Sequence, residues 1–129
     1  MANPEHVKIL KQGVEAWKKW RIENLGTAPD LFSADLRGAN LSGADLSGAD
    51  LGRAELISAN LSEANLRWVD FSGGNLSRAD FRGARLMIAN LTRADLSETD
   101  LSGATLAYAD FTHTKSELHG LQDSGRDLC

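Results

Sequence analysis

Cysteine is nearly missing from this chain: Cys129, its last residue, is the single one among 129. An intrachain disulfide framework is thereby excluded, and no cysteine cluster exists for zinc. The thiol reads as an inert terminal group, with an intermolecular disulfide as the minor alternative. Long apolar runs are missing too, and none approaches the roughly 20 residues of a membrane span. Lys8, Lys11, Glu15 and Lys18 break up the N-terminal stretch, so it does not read as a signal peptide. A cytoplasmic location is expected. There is no basic excess: the net charge is −4, which argues against direct nucleic-acid binding through a phosphate-neutralising patch. His6, His113 and His119 have no ligand spacing, so they read as satisfied or solvated side chains and no metal site is expected. Serines are plentiful but lack His and Asp partners in register, and no glycine-rich phosphate loop is present. No cofactor is expected, and the chain does not read as an enzyme.

What is present is one phrase repeated. It runs Ala34-Asp35-Leu36-Arg37-Gly38, Ala39-Asn40-Leu41-Ser42-Gly43, Ala44-Asp45-Leu46-Ser47-Gly48 and onward, with Leu or Phe at every fifth position from Leu31 to Phe111. On an α-helix each repeat rotates by about 140°, so the leucines would spiral and form no face. On a straight strand an odd period sends successive leucines to opposite sides. Within one repeat, however, Ala-Asp-Leu alternates in, out, in, and the next two residues suit a turn. A corner after every three-residue strand resets the phase and points every leucine at one axis. The spacing therefore predicts a β-solenoid.

The motif resembles that of the pentapeptide-repeat proteins, A(D/N)LXX, over about two-thirds of the chain. The resemblance implies an all-β solenoid, a right-handed quadrilateral parallel β-helix with four repeats per coil. That gives about four coils and an N-terminal α-helical cap, with the central Leu or Phe and the Ala before the Asp or Asn both buried. The organisation expected is a capping helix and linker over 1–28, the β-helix over 29–114, and a tail or partial cap over 115–129. The sequence tests the twenty-residue coil independently: Trp68, Ile88 and Tyr108 are apolar surface positions at that spacing, whereas fifteen would align Arg53, Trp68, Gly83 and Glu98 without logic. Leu36, Leu41, Leu46, Leu51, Phe71, Phe81, Leu91 and Phe111 are expected core residues. Seventeen central side chains at roughly 1.5–3 kcal/mol each supply most of the gross stabilisation. One coil carries Val69, Phe71 and Phe81 together with Gly74 in an alanine position, which reads as volume compensation against overpacking.

Ahead of the repeats, Asn3 and Pro4 read as an N-cap and first helical residue. A single amphipathic helix is expected over 4–25, with Gly26 as its stop. Val7, Ile9, Leu10, Gly13, Val14, Ala16, Trp17 and Trp20 share its apolar half; Arg21 intrudes there and Ile22 falls on the polar half. A tryptophan-bearing cationic helix can bind a membrane surface, but three glutamates balance these lysines. Capping the open end of the array is the preferred reading. At the other end Ser116 occupies a central position, so the solenoid is expected to stop near 114. Leu118, Leu121 and Leu128 either cover the last coil or leave it for dimerisation.

Two functional readings follow. The first is a non-enzymatic scaffold or adaptor that holds a protein partner on Trp68, Ile88 and Tyr108, with Met87 in the adjoining column. Self-association is expected through that face or the C-terminal end. The second, implied by the resemblance, is the DNA-mimic regulation of type II topoisomerase seen in quinolone-resistance members of the family. Residues 29–113 hold twelve acidic residues and seven arginines. A doubled rod of ~40 Å of duplex would need about 24 negative charges. Two such solenoids are too short and too dilute in charge, so the scaffold reading leads.

Overall fold

The computed structural model describes residues 1–119. Two short helices, α1 (Pro4–Lys11) and α2 (Val14–Glu23), precede a four-sided parallel β-helix. Parallel bridges join residues twenty apart. One side runs Asp30, Asp50, Asp70, Asn90, Asp110; the second Asp35, Glu55, Asn75, Asp95; the third Asn40, Asn60, Asp80, Asp100; the fourth Asp45, Asn65, Arg85, Thr105. Near the C-terminus the pieces lengthen into β1 (Asp95–Asp100) and β2 (Lys115–His119), paired in parallel with Asp95 opposite Lys115.

The five-residue motif accounts for every backbone N–H in it, as a buried chain requires. Around Leu51, Asp50 N donates to Pro29 O in the coil before at 2.9 Å. Leu51 N and Arg53 N donate to Asp70 O and Ser72 O in the coil after, both at 2.8 Å. Ala54 N closes the corner on Leu51 O at 3.1 Å, and Gly52 N turns to Asp50 Oδ1 at 3.0 Å. That last bond explains why the second position wants Asp or Asn: a short side chain must reach the N–H two residues on, an Asx turn. It recurs at Asn60, Asp70, Asp80, Asn90 and Asp100.

The corners add a second requirement. The second corner residue has φ between 54° and 73° at every repeat from 33 to 113, as in a type II turn. Glycine meets this freely. Where Arg, Glu, Trp, Ile or Tyr stands instead, the left-handed conformation costs about 1–2 kcal/mol.

Leu36, Leu41, Leu46, Leu51, Phe71, Phe81 and Leu91 are fully buried along the axis. Phe111 is only partly buried, contrary to expectation, because no further coil of the described residues stacks on it. Phe71 and Phe81 meet edge to face at 5.9 Å. A Cβ on Gly74 would meet Phe71 O at 3.0 Å and Ala54 O at 3.4 Å. Its three nearest neighbours are main-chain atoms, so those contacts do not show the expected compensation for ring volume. Thr99 takes an alanine position fully buried, and its hydroxyl donates to Leu76 O at 2.9 Å.

The N-terminal stretch departs from the single helix expected over 4–25. Asn3 caps α1 by accepting from Glu5 N at 2.9 Å. The helix then ends at Gln12, and Gly13 adopts φ 117° before α2 begins. That φ needs glycine, and the bend it makes brings His6 of α1 to 4.7 Å from the Trp20 ring, tilted by 56°, while Trp17 stacks on Trp20 within α2 at 4.9 Å. Asn24 rather than Gly26 ends α2: its N–H donates to Arg21 O and its side-chain amide to Trp20 O. Leu10 and Trp17 are buried, while Val7, Val14 and Trp20 are partly so.

Both helices contact the first coil. Asn3 N donates to Asp30 O at 3.0 Å and Asp30 N to His6 Nδ1 at 2.9 Å on one side. On another side, Trp17 Nε1 donates to Asp45 O at 2.8 Å, and Arg21 to Ser47 O at 3.0 Å and Oγ at 3.1 Å. Arg21 sits in the apolar arc because its guanidinium satisfies the Ser47 carbonyl and hydroxyl at that edge. At the far end pairing continues past 114 through β2, and the spacing falls from twenty to nineteen where Asp100 pairs with His119. The expectations placed on Leu121, Leu128 and Cys129, and on the side chain of Leu118, lie outside the described residues.

Candidate functional site

The corner between the fourth and first sides carries Gly48, Trp68, Ile88 and Tyr108 in one column. Their backbone is pinned: Trp68 N donates to Met87 O at 3.1 Å and Ile88 N to Ala107 O at 3.0 Å. Each side chain leaves a left-handed residue, with φ 60° at Trp68 and 62° at Ile88 and Tyr108. A side chain at this corner position cannot turn into the core, which the preceding leucines fill. Trp68 is therefore 62% exposed, Ile88 49% and Tyr108 80%. Adjacent strand rungs lie about 4.8 Å apart, so the three form a continuous apolar ridge. Met87, in the neighbouring column, is only half exposed, and beside it Arg67 is held by Asn65 Oδ1 at 3.1 Å. Arg21 grips Ser47 next to Gly48, so α2 reaches this corner where the ridge begins.

Another aromatic near a corner behaves differently. A Cβ on Gly52 would meet the Phe32 ring at 3.0 Å, so that ring lies over the next coil and is half covered. The ridge residues are the exposed large apolar side chains of the described β-helix.

Part of the charged surface is self-satisfied. Arg37 forms two bonds to the Asp35 carboxylate at 2.8 Å, Arg82 pairs with Asp80 at 2.7 Å, and Arg78 with Glu98 at 3.2 Å. The hydrogen bond from Arg37 pulls the Asp35 carboxyl down to about 2. Arg82 lowers Asp80 in the same way, while Ser102 and Thr112 lower Asp100 and Asp110. These shifts come first from side-chain hydrogen bonds of the residue two positions on, with the corner N–H adding to them. Among the described residues no three His, Cys, Asp or Glu side chains are grouped to hold a metal ion, and no helix is long and apolar enough to cross a membrane.

One feature escapes a reading of the sequence as a smooth prism. Because the helices bend at Gly13, an open groove of about 940 Å³ lies between Leu10, Lys11, Val14 and the first coil at Asp35, Arg37 and Asn40. The signal that could have revealed it is Gly13 itself, mid-way through an otherwise helical pattern. The groove holds the closed Asp35–Arg37 pair and presents no nucleophile beside a base.

Comparison with known proteins places this geometry. Pentapeptide repeats match in eight copies, over residues 34–73, 49–86, 64–103 and 84–115. No curated protein matches the sequence. Among solved structures, a pentapeptide repeat protein of the Arabidopsis thaliana thylakoid lumen is 31% identical at a TM-score of 0.66, covering 71% of this chain and 64% of that one. One from the cyanobacterium Cyanothece 51142 is 39% identical at a TM-score of 0.64, covering 67% and 58%. One from Nostoc PCC 7120 is 38% identical at a TM-score of 0.69, covering 84% and 90%. This chain thus spans less than two thirds of the length of the first two proteins. With the repeat matched across most of the chain and its bridges twenty residues apart, the protein belongs to the pentapeptide-repeat family.

Proposed function

We propose that this chain is a non-enzymatic scaffold or adaptor that holds a protein partner on the Trp68, Ile88 and Tyr108 corner, with Met87 at its margin. In this reading the body is a right-handed quadrilateral β-helix of about four coils, closed at its N-terminal end by the helices, and it works in the cytoplasm. The observation that carries the proposal is the ridge itself. Three large apolar residues occupy left-handed positions that the fold would fill most cheaply with glycine. Arg53, Glu63 and Arg78 share the conformation at other corners, so what sets the ridge apart is its contiguous exposed apolar surface, the mark of a contact site. The paired arginines favour this reading over DNA mimicry, since Arg37, Arg78 and Arg82 each neutralise a carboxylate of the surface.

The test replaces Trp68 and Tyr108 together with serine. Capture of a partner from native cell extract, or self-association measured as mass in solution, is expected to be lost while the fold is retained. Unchanged capture and unchanged mass would overturn the ridge. Inhibition of gyrase supercoiling by the native protein, undiminished in the double variant, would restore the topoisomerase reading.

A further inference from the structure

In every later coil of the first side, the N–H of the Asp or Asn donates to a carbonyl of the coil before it. Asp50 donates to Pro29 O at 2.9 Å, Asp70 to Ala49 O at 3.0 Å, Asn90 to Val69 O at 2.9 Å and Asp110 to Ala89 O at 3.0 Å. The first coil has no predecessor. There, Asp30 N donates instead to His6 Nδ1 at 2.9 Å, and Asn3 N supplies the reciprocal donor to Asp30 O at 3.0 Å. An imidazole nitrogen has taken the place of a main-chain carbonyl. A carbonyl accepts at any pH; an imidazole nitrogen accepts only while it carries no proton.

We propose that His6 is a proton-sensitive latch, which ties α1 to the first coil when neutral and loosens that tie when protonated, while Trp17 and Arg21 continue to hold α2. The surroundings of the ring support this. It is 8% exposed. With Nδ1 accepting, Nε2 carries the ring proton and lies 3.4 Å from Asn3 Nδ2, itself a donor whose oxygen is engaged by Glu5 N. Both nitrogens thus face N–H groups, and a second proton on the ring would meet a donor with no acceptor to receive it. Of the charged residues on the elements it touches, Glu5 and Lys8 flank it in α1, Lys19 and Arg21 flank Trp20 in α2, and Asp30 is its partner on the first coil. None of their carboxylates forms an ion pair with the ring, and Asp30 Oδ1 is directed to Phe32 N. The Trp20 ring at 4.7 Å is tilted by 56° rather than stacked face on, so it offers a proton on the ring little cation–π support. Loosening it would expose that side of the first-coil edge, with its unpaired strand groups open to another chain.

Amide exchange and ring-nitrogen chemical shifts on the full chain test the latch. At about pH 7.5 the His6 Nδ1 shift should be that of an unprotonated acceptor. Between about pH 7.5 and about pH 5.5, protection of the Asp30 amide should fall about tenfold beyond the intrinsic change. Asp70 and Asn90, bonded to carbonyls, should not follow. His6→Gln retains an acceptor that does not titrate, so its Asp30 amide should lose the pH dependence. A native Asp30 amide equally protected at both pH values would overturn the latch. So would the same tenfold fall in His6→Gln, or an Nδ1 that carries the proton at about pH 7.5.

Discussion

Two corners of the same prism share a backbone and differ in what they carry. The corner after the third side reads Gly43, Glu63, Gly83, Gly103, with φ of 73°, 59°, 69° and 71°. The corner after the fourth side reads Gly48, Trp68, Ile88, Tyr108, with φ of 72°, 60°, 62° and 62°. The turn type is the same, and so are the ladder bonds above and below. Nothing in the backbone asks for an aromatic at one and a glycine at the other. The first corner is filled by glycine and the solvated Glu63, whereas the second carries large apolar side chains that the fold does not need. A β-branched residue such as Ile88 at positive φ is rare enough to mark the place.

The largest effects should fall where the corners do not differ. Leu61 and Leu66 precede the two corners and are both fully buried. Leu61→Ala and Leu66→Ala should each cost about 2–5 kcal/mol, read as a drop in the urea midpoint, since each leaves a cavity in the same stacked core. Their costs should match within the usual spread. A Leu66→Ala far cheaper than Leu61→Ala would mean that the ridge side is packed differently inside, and the comparison would then fail at its base.

Much of this contrast was legible before any coordinates. The leucine period gave the corners, and the twenty-residue alignment of Trp68, Ile88 and Tyr108 gave the ridge, because side-chain direction in a repeat follows from position alone. Burial along the axis was equally readable for Leu36 through Leu91. What was hidden depended on contacts between segments with no shared period. Gly13 looked like one more residue of an apolar arc, and only its φ of 117° shows that the helix breaks there. Arg21 looked like an exception until its bonds to Ser47 appeared. His6 looked like a bland histidine, since nothing local says that it stands in for a carbonyl. Phe111 obeyed the motif and yet lies half open, because burial needs a neighbouring coil as well as a register.

Exchanging the corner residues gives intermediate effects of opposite sign. A Cβ on Gly103 would meet nothing closer than Gly83 N at 3.8 Å, so space is not the obstacle. Gly103→Ile should nonetheless cost about 1–2 kcal/mol, because its φ is 71°. Ile88→Gly removes the same strain, offset by about 0.5–1 kcal/mol of chain entropy that glycine loses on folding. Its thermal midpoint should equal or slightly exceed that of the native chain. A marked loss of stability in Ile88→Gly would make the ridge a structural feature and remove the contrast.

The smallest effect separates the two sides by acid. On the third side, Asp80 and Asp100 supply the corner bonds to Arg82 N at 3.0 Å and Ser102 N at 2.9 Å. Both carboxyls are held below their ordinary value, Asp80 chiefly by the Arg82 hydrogen bond and Asp100 by that of Ser102. The corresponding residues on the fourth side are Arg85 and Thr105, which do not titrate in acid. A carboxyl lowered on folding contributes stability that is present above its unfolded value of about 3.9 and is lost as pH falls through the folded value. After solvent screening each contributes at most about 1 kcal/mol, too little to unfold a stacked core. The amide shifts of Arg82 and Ser102 should therefore move below about pH 3.9 while those of Met87 and Ala107 stay still. Movement of all four together would mean that acid loosens the prism as a whole. Movement confined to the first pair would show that the glycine corner depends on its carboxylates, while the ridge corner keeps its geometry without them.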